Sequence, residues 1–172
     1  MQKLPIGTQD FRVLRENEFL YVDKTRQIHQ LITDGRFYFL SRPRRFGKSL
    51  TVSTIKEIFS GSRDLFKGLW IEDNWDWAQQ HPVIHLGFSS IGYQGLGLEQ
   101  ALLAAIDAVA ESHGFVLKAE GLALRFKELL ATLGTPKRVV LLIDEYDKPL
   151  IDYLEREKHS QAIENRQILK QF

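Results

Sequence analysis

The sequence contains no cysteine in its 172 residues, which excludes disulfides, thiolate metal sites and cysteine nucleophiles. It also lacks an excess of either charge, since 23 basic residues accompany 22 acidic ones. The net charge is therefore too small to attract the protein to nucleic acid. No apolar run approaches the ~20 residues that cross a bilayer, and the N-terminus MQKLPIGTQDF lacks the apolar run of a signal peptide. We therefore expect a cytoplasmic protein that binds neither membrane nor, directly, nucleic acid.

Three short runs have the composition of buried strands: RFYFLS (36–41), PVIHLGFS (82–89) and RVVLLIDE (138–145). Helical periodicity predicts helices over 22–33, 48–59, 98–113 and 121–133. The third strand is apolar without alternation, which is typical of a parallel sheet covered on both faces. The alternation of strands and helices predicts a single α/β domain over residues 1–172.

The stretch RPRRFGKSL, residues 42–50, lies between the first predicted strand and the helix 48–59. A phosphate-binding loop has this position, because backbone N–H groups at a helix N-terminus face the phosphates. Lys48 is placed to reach the β- and γ-phosphates and Ser49 to bind Mg²⁺. The candidate nucleotide-binding residues are Arg42, Pro43, Arg44, Arg45, Phe46, Gly47, Lys48, Ser49 and Leu50.

This loop has Arg42 where the usual phosphate-loop pattern begins with Gly. Glycine is required where φ is positive or the backbone comes too close for a Cβ, and Gly47 has the stronger claim to that requirement. Pro43 instead favours an extended Arg42. A chance GKS in a solvated basic turn is the alternative. The arginines either contact phosphate, are solvated or pair with acids on the surface.

The stretch VVLLIDEYD supplies the acidic residues that a phosphate loop needs. Asp144 follows a buried strand, where it would hold Mg²⁺, usually through water, and Glu145 would act as the general base for the attacking water. The predicted strand 82–89 lies between Lys48 and Asp144, which is typical of the P-loop branch with an extra strand and a catalytic Glu. The alternative is that both acids open a solvated loop.

The stretches RPRRFGKSL, LIDEYDKPL and LPIGTQDF…YVDKT together resemble the bacterial and archaeal AAA-ATPase-like P-loop family. The matching pieces are residues 4–11, 21–25, 39–50 and 142–150, and the family shares the departure at the first Gly. The resemblance implies a P-loop NTPase fold, a three-layer sandwich with a parallel sheet. Members commonly precede a PD-(D/E)XK-type nuclease domain, so we expect an N-terminal fragment of a longer protein.

The resemblance also implies ATP and Mg²⁺ as cofactors. Lys48 and Glu145 would be the catalytic residues, Ser49 and Asp144 would bind the metal, and Ile6 and Phe11 would lie near the nucleotide base. Nucleotide is the expected partner, and a homo-oligomer and a C-terminal nuclease domain are the possible protein partners.

Other residues have simpler interpretations. Lys148 either pairs with a nearby acid or contacts a neighbouring subunit's nucleotide, and Asp23 is predicted to cap the following helix. His85 is expected in the core, and no histidine spacing indicates zinc. The run GYQGLG (92–97) is in the wrong order for a dinucleotide loop and reads as a connection. Aromatic residues are expected to pack in the core, among them Phe37, Phe39, Trp75 and Trp77.

Three functions remain open at this point. The first is an Mg²⁺-dependent ATPase. The second is a nucleotide-gated switch for an attached effector, with little turnover. The third is an interaction module that binds no nucleotide. It requires both motifs to be chance matches, although each motif follows a predicted strand, as a nucleotide site requires.

Overall fold

The computed structural model describes residues 3–43, 45–155 and 159–171. The chain divides into two compact units, Met1–Val83 and Ile84–Phe172. The helices of the first unit are α1 (Phe11–Glu16), α2 (Thr25–Asp34) and α3 (Lys48–Phe59), followed by 3₁₀ turns at Arg63–Phe66 and Trp70–Asp73. Arg44, one of the candidate loop residues, lies outside the described residues.

The first unit is organised around Phe11, whose side chain is fully buried. Its ring stacks on Phe66 at 4.7 Å between centroids and meets the edge of Tyr21 at 5.2 Å. Its N–H donates to the Ser53 hydroxyl at 2.9 Å, which ties α1 to the helix that follows the phosphate-loop motif. Apolar stacking and one buried hydrogen bond therefore fix the N-terminal segment against α3.

Helix α3 confirms the predicted bounds, whereas α2 begins at Thr25, later than predicted. Asp23 lies one residue before the N-cap Lys24, and its carboxylate accepts the Thr25 N–H at 2.8 Å. The capping interaction predicted for Asp23 is therefore present, although Asp23 lies one position before the N-cap. It provides an acceptor for a backbone N–H of the first turn that has none within the helix.

The predicted strand at 36–41 is wrong, because none of these residues is in a strand. Phe37 is 96% exposed and Phe39 is 72% exposed, so neither is the core residue that composition indicated. An aromatic-rich run favours extended backbone, but a strand also needs a neighbour for its N–H and C=O groups. Trp75 and Trp77 do pack as expected, against Phe59 and Phe66 respectively.

The second unit contains α4 (Tyr93–Leu96), α5 (Leu98–Ser112), α6 (Leu122–Leu133), β2 (Val140–Asp144), α7 (Lys148–Ile151) and α8 (His159–Gln171). Strand β1 (Val83–Gly87) precedes them and pairs with β2 in a small parallel sheet. The core packs Ile84 and Leu86 of β1 against Leu102 and Ile106 of α5 and against α6. The run 92–97 contains the short helix α4 and its Gly caps.

The strands predicted at 82–89 and 138–145 are confirmed as β1 and β2. The expected cover on both faces is wrong for this sheet, because Leu141 and Ile143 are 38% and 39% exposed and His85 is exposed rather than in the core. Burial alternates along both strands, as in a sheet with one packed face. A full three-layer sandwich stays a prediction, since the described residues contain two strands.

The helices at 98–113 and 121–133 are confirmed to within one residue at each end. The described residues include no helix that combines the length and the apolar composition needed to cross a membrane.

Candidate functional site

Gly47 is the N-cap of α3 and adopts a left-handed conformation, with φ 71° and ψ 26°. A Cβ at this position would meet nothing within 4 Å, so backbone conformation, not crowding, requires the glycine. Arg42 is not among the described residues with positive φ. The backbone therefore has no conformational need for glycine at the loop's first position, as the sequence predicted.

Lys48 folds back over the loop, where its Nζ donates a hydrogen bond to the carbonyl oxygen of Arg42 at 2.5 Å. This contact spans six residues and joins the two ends of the motif. An ammonium group has three protons, so Lys48 can hold the carbonyl and still donate to a phosphate oxygen. The ends of the loop are thus linked by the residue that the motif assigns to phosphate.

The first turn of α3 provides N–H donors without helical acceptors, as every helix N-terminus does. Gly47 has no side chain with which to cap them, and the Thr51 hydroxyl bonds to the Gly47 carbonyl at 2.9 Å rather than to an N–H. Ser49 and Leu50 lie half-buried in this turn. A helix of 12 residues with no side-chain cap and a lysine at its start favours the binding of an anion at its N-terminus.

The remaining described loop residues are solvent-exposed, and they are Arg42, Pro43, Arg45 and Phe46. Arg45 has φ 67°, which is unusual for a residue with a side chain. With Gly47 it gives the loop two left-handed residues two positions apart.

Asp144 and Glu145 lie in the second unit, at the carboxyl end of β2. The Asp144 carbonyl accepts the N–H of Phe88 at 3.1 Å, so a hydrogen bond from the residue just after β1 holds the end of β2 in place. Glu145 is exposed and has φ 54°. Such a conformation in a non-glycine residue costs roughly 1–3 kcal/mol and is concentrated at functional sites.

A polar network surrounds Asp152, just after α7. Its Oδ2 accepts the Tyr93 hydroxyl at 2.6 Å, the Gln94 side-chain N–H at 3.1 Å and Lys148 Nζ at 3.0 Å. The hydrogen bond from Tyr93 is the main cause that lowers the pKa of Asp152, and burial with the same bond raises the pKa of Tyr93. The pairing predicted for Lys148 with a nearby acid is confirmed.

Sequence reasoning missed Tyr93, Gln94 and Asp152 as members of this network. The i,i+4 spacing of Lys148 and Asp152 was a usable signal for one contact. The hydroxyl of Tyr93 comes from 59 positions away, and no local pattern indicates that pairing.

The oxygen donors in the two motifs suit Mg²⁺ better than a transition metal. Within the described ranges no group of three or more His, Cys, Asp or Glu side chains could hold a metal by itself. Mg²⁺ keeps several waters and is held by one or two protein oxygens together with nucleotide phosphates. Each motif offers an oxygen of this kind, the hydroxyl of Ser49 in the first unit and the carboxylate of Asp144 in the second.

The N-terminal residues implied near the nucleotide base differ in accessibility. Ile6 is 90% exposed, whereas Phe11 is completely buried between Tyr21 and Phe66. Phe11 thus serves the packing of the first unit, and we assign it no contact with nucleotide.

Comparison with known proteins gives a family and one relative of undetermined function. The family described as "Predicted AAA-ATPase" matches residues 5–172. The "Uncharacterized protein in vnfD 5'region" of Azotobacter chroococcum mcd 1 is 42% identical over 166 residues, which cover 94% of this chain. The chain spans about a third of that relative's length, 32%. No solved structure matches. Because the match covers nearly the whole chain, the chain belongs to the predicted AAA-ATPase family.

Proposed function

We propose that the chain binds ATP with Mg²⁺ and hydrolyses it. The observation that carries the proposal is the junction at Gly47, where a left-handed glycine opens an uncapped helix and the next residue, Lys48, closes the loop. Family membership adds that this junction belongs to a predicted ATPase.

In this proposal the N–H groups after Gly47 and the ammonium of Lys48 bind the phosphates and stabilise the charge that develops on them. Ser49 and Asp144 would hold Mg²⁺, which would neutralise phosphate charge. Glu145 accepts a proton from the attacking water. The arginines of the loop add charge-assisted hydrogen bonds to phosphate oxygens.

The test is phosphate release from Mg-ATP by the native chain and by Glu145→Gln. Loss of hydrolysis with retained ATP binding supports the assignment, because the amide keeps the shape of the side chain and loses its basicity. Asp147→Asn is the matched control, since it neutralises another exposed acid two residues away. Equal rates in native and Glu145→Gln chains would exclude Glu145 as the base.

A second candidate function is a nucleotide-gated switch that controls an attached effector. The length of the Azotobacter chroococcum relative favours it, because the match to this chain covers 32% of that protein and leaves room there for an attached effector. Bound nucleotide would order the loop without driving a cycle. Under this alternative ATP binds with little turnover, and Glu145→Gln changes little. The same assay therefore distinguishes the two candidates.

A further inference from the structure

The left-handed Glu145 needs support from its surroundings, because the conformation is strained. The chain after it forms α7, whose first residue donates its N–H to the Glu145 carbonyl at 3.0 Å. A four-residue helix is too short to be stable by itself. Contacts from other elements must therefore hold α7, and through it the main chain at Glu145.

Two contacts fix α7 from opposite ends. At its start, the Pro149 carbonyl accepts the side-chain N–H of Asn165 at 2.8 Å, and Asn165 is 1% exposed. Just past its end, the Asp152 carboxylate accepts the Tyr93 hydroxyl at 2.6 Å, and Tyr93 is 4% exposed. The second contact is charge-assisted, which makes it the stronger type.

The Tyr93 contact also joins the segments that follow the two parallel strands. Tyr93 opens α4 after β1, and Asp152 follows α7 after β2. Parallel strands end at the same edge of a sheet, which is where Glu145 lies. Lys148 closes the arrangement, since its Nζ lies 3.2 and 3.0 Å from the two Asp152 carboxylate oxygens.

A small polar cavity of about 220 Å³ adjoins this arrangement, lined by Ser89, Gly92, Tyr93, Gln94 and Lys148. Its lining comes from the same two segments. It has the size and the polar groups to admit water, so the polar side chains of the network are accessible to solvent from this side.

We propose that Tyr93, Asp152 and Lys148 form a positioning network that holds Glu145 in its working conformation for ATP hydrolysis. The proposal rests on the proposed function. None of the three residues contacts the reacting atoms; they act through the main chain of α7 and Glu145. Because small displacements of a reacting group are costly, loss of the network lowers kcat about 10- to 100-fold.

The test compares kcat, KM and nucleotide Kd for the native chain, Tyr93→Phe and Asp152→Asn. Tyr93→Phe removes one hydroxyl and keeps the buried ring, so it remains usable if Asp152→Asn does not fold. The expected result is a lower kcat with Kd changed by less than about threefold. The matched control is Tyr153→Phe, because the ring of Tyr153 lies 6.4 Å from that of Tyr93 and its hydroxyl has no hydrogen bond among the described residues.

A combined variant separates positioning from general stability. The Glu145→Gln background is measured in single turnovers at high enzyme concentration, where a residual rate can be detected. If the network acts through Glu145, Tyr93→Phe causes no further loss of that residual rate. A further loss there, or a parallel fall of kcat and binding in both single variants, would mean a purely structural role and overturn the proposal.

The measurements distinguish failure of the positioning network from failure of the ATPase proposal. An active native chain matched in kcat by Tyr93→Phe and Asp152→Asn refutes the network and leaves the ATPase proposal standing. A native chain that binds Mg-ATP but releases no phosphate refutes the ATPase proposal, and the positioning role falls with it. Equal, measurable rates in the native chain and Glu145→Gln refute the positioning role alone.

Discussion

The ammonium of Lys48 donates a hydrogen bond to the main-chain carbonyl of Arg42, 2.5 Å away, across the loop that connects them. Arg42 occupies the position where phosphate loops usually have glycine. The contact uses the carbonyl of that residue, which any amino acid provides. An arginine at this position is therefore compatible with a loop closed by the motif's own lysine.

Gly47→Ala should lower the free energy of unfolding by about 1–2 kcal/mol, because alanine disfavours the left-handed backbone found there. The added methyl meets no atom within 4 Å, so the loss arises from conformation alone. Urea unfolding monitored by circular dichroism measures it.

Gly95→Ala is the control for that measurement. A Cβ at Gly95 also meets nothing within 4 Å, and Gly95 has no positive φ. An equal loss of stability in both variants would contradict the conformational explanation.

Arg12→Met should destabilise the fold by about 1–3 kcal/mol, since it leaves a buried carboxylate short of a donor. Glu57 is 3% exposed and accepts Arg12 Nη2 at 2.6 Å, with Ser62 Oγ donating at 2.7 Å. Methionine keeps the apolar stem and removes the charge. The midpoint of denaturant unfolding reports the change.

Glu16→Gln serves as the companion variant to Arg12→Met. It breaks the exposed pair with the same arginine, at 3.3 Å, and should change stability by less than about 0.5 kcal/mol. If Glu16→Gln proves as damaging as Arg12→Met, the importance assigned to the Glu57 carboxylate is wrong.

Asp23 should make stability depend on pH on the acid side. Desolvation raises its pKa, but hydrogen bonds from the Trp70 N–H and from the Thr25 N–H and hydroxyl outweigh that effect and hold the pKa below its usual 3.8. Since the folded-state pKa is the lower one, the stabilisation is complete above about pH 4 and is lost as the pH falls through the folded value.

Comparison of native protein with Asp23→Asn tests this dependence. The native chain should be more stable by about 0.5–1.5 kcal/mol at pH 7, and the difference should shrink below pH 4. Thermal unfolding across that range measures it. A difference that stays constant down to strongly acid pH would show that ionisation of Asp23 contributes nothing.

The parts of this protein that could be predicted from sequence are those encoded locally. Helix α3 has its predicted bounds because Gly47 starts it and an unbroken apolar period continues to Phe59. Strand β2 ends at Asp144, where the apolar run ends. In both cases the signal lies within one turn or one strand of the feature itself.

The features that could not be predicted depend on partners distant in sequence. Residues 36–41 have strand composition, yet pairing also depends on a neighbouring strand that composition cannot identify. The contact of Tyr93 with Asp152 joins positions 59 residues apart. The exposure of Leu141 depends on what covers the sheet, which the apolar run alone does not specify.

The most direct test of the central claim is thermal unfolding with and without Mg-ATP, and in parallel with Mg-GTP. It compares the native chain, Lys48→Ala and Lys56→Ala, the last of which removes the same charge from the same helix. At 100 times its dissociation constant, a ligand adds about 2.7 kcal/mol of stability. We expect a shift with Mg-ATP in the native chain and Lys56→Ala that is absent in Lys48→Ala. No shift with either nucleotide, or an equal shift in Lys48→Ala, would contradict a phosphate site at this loop.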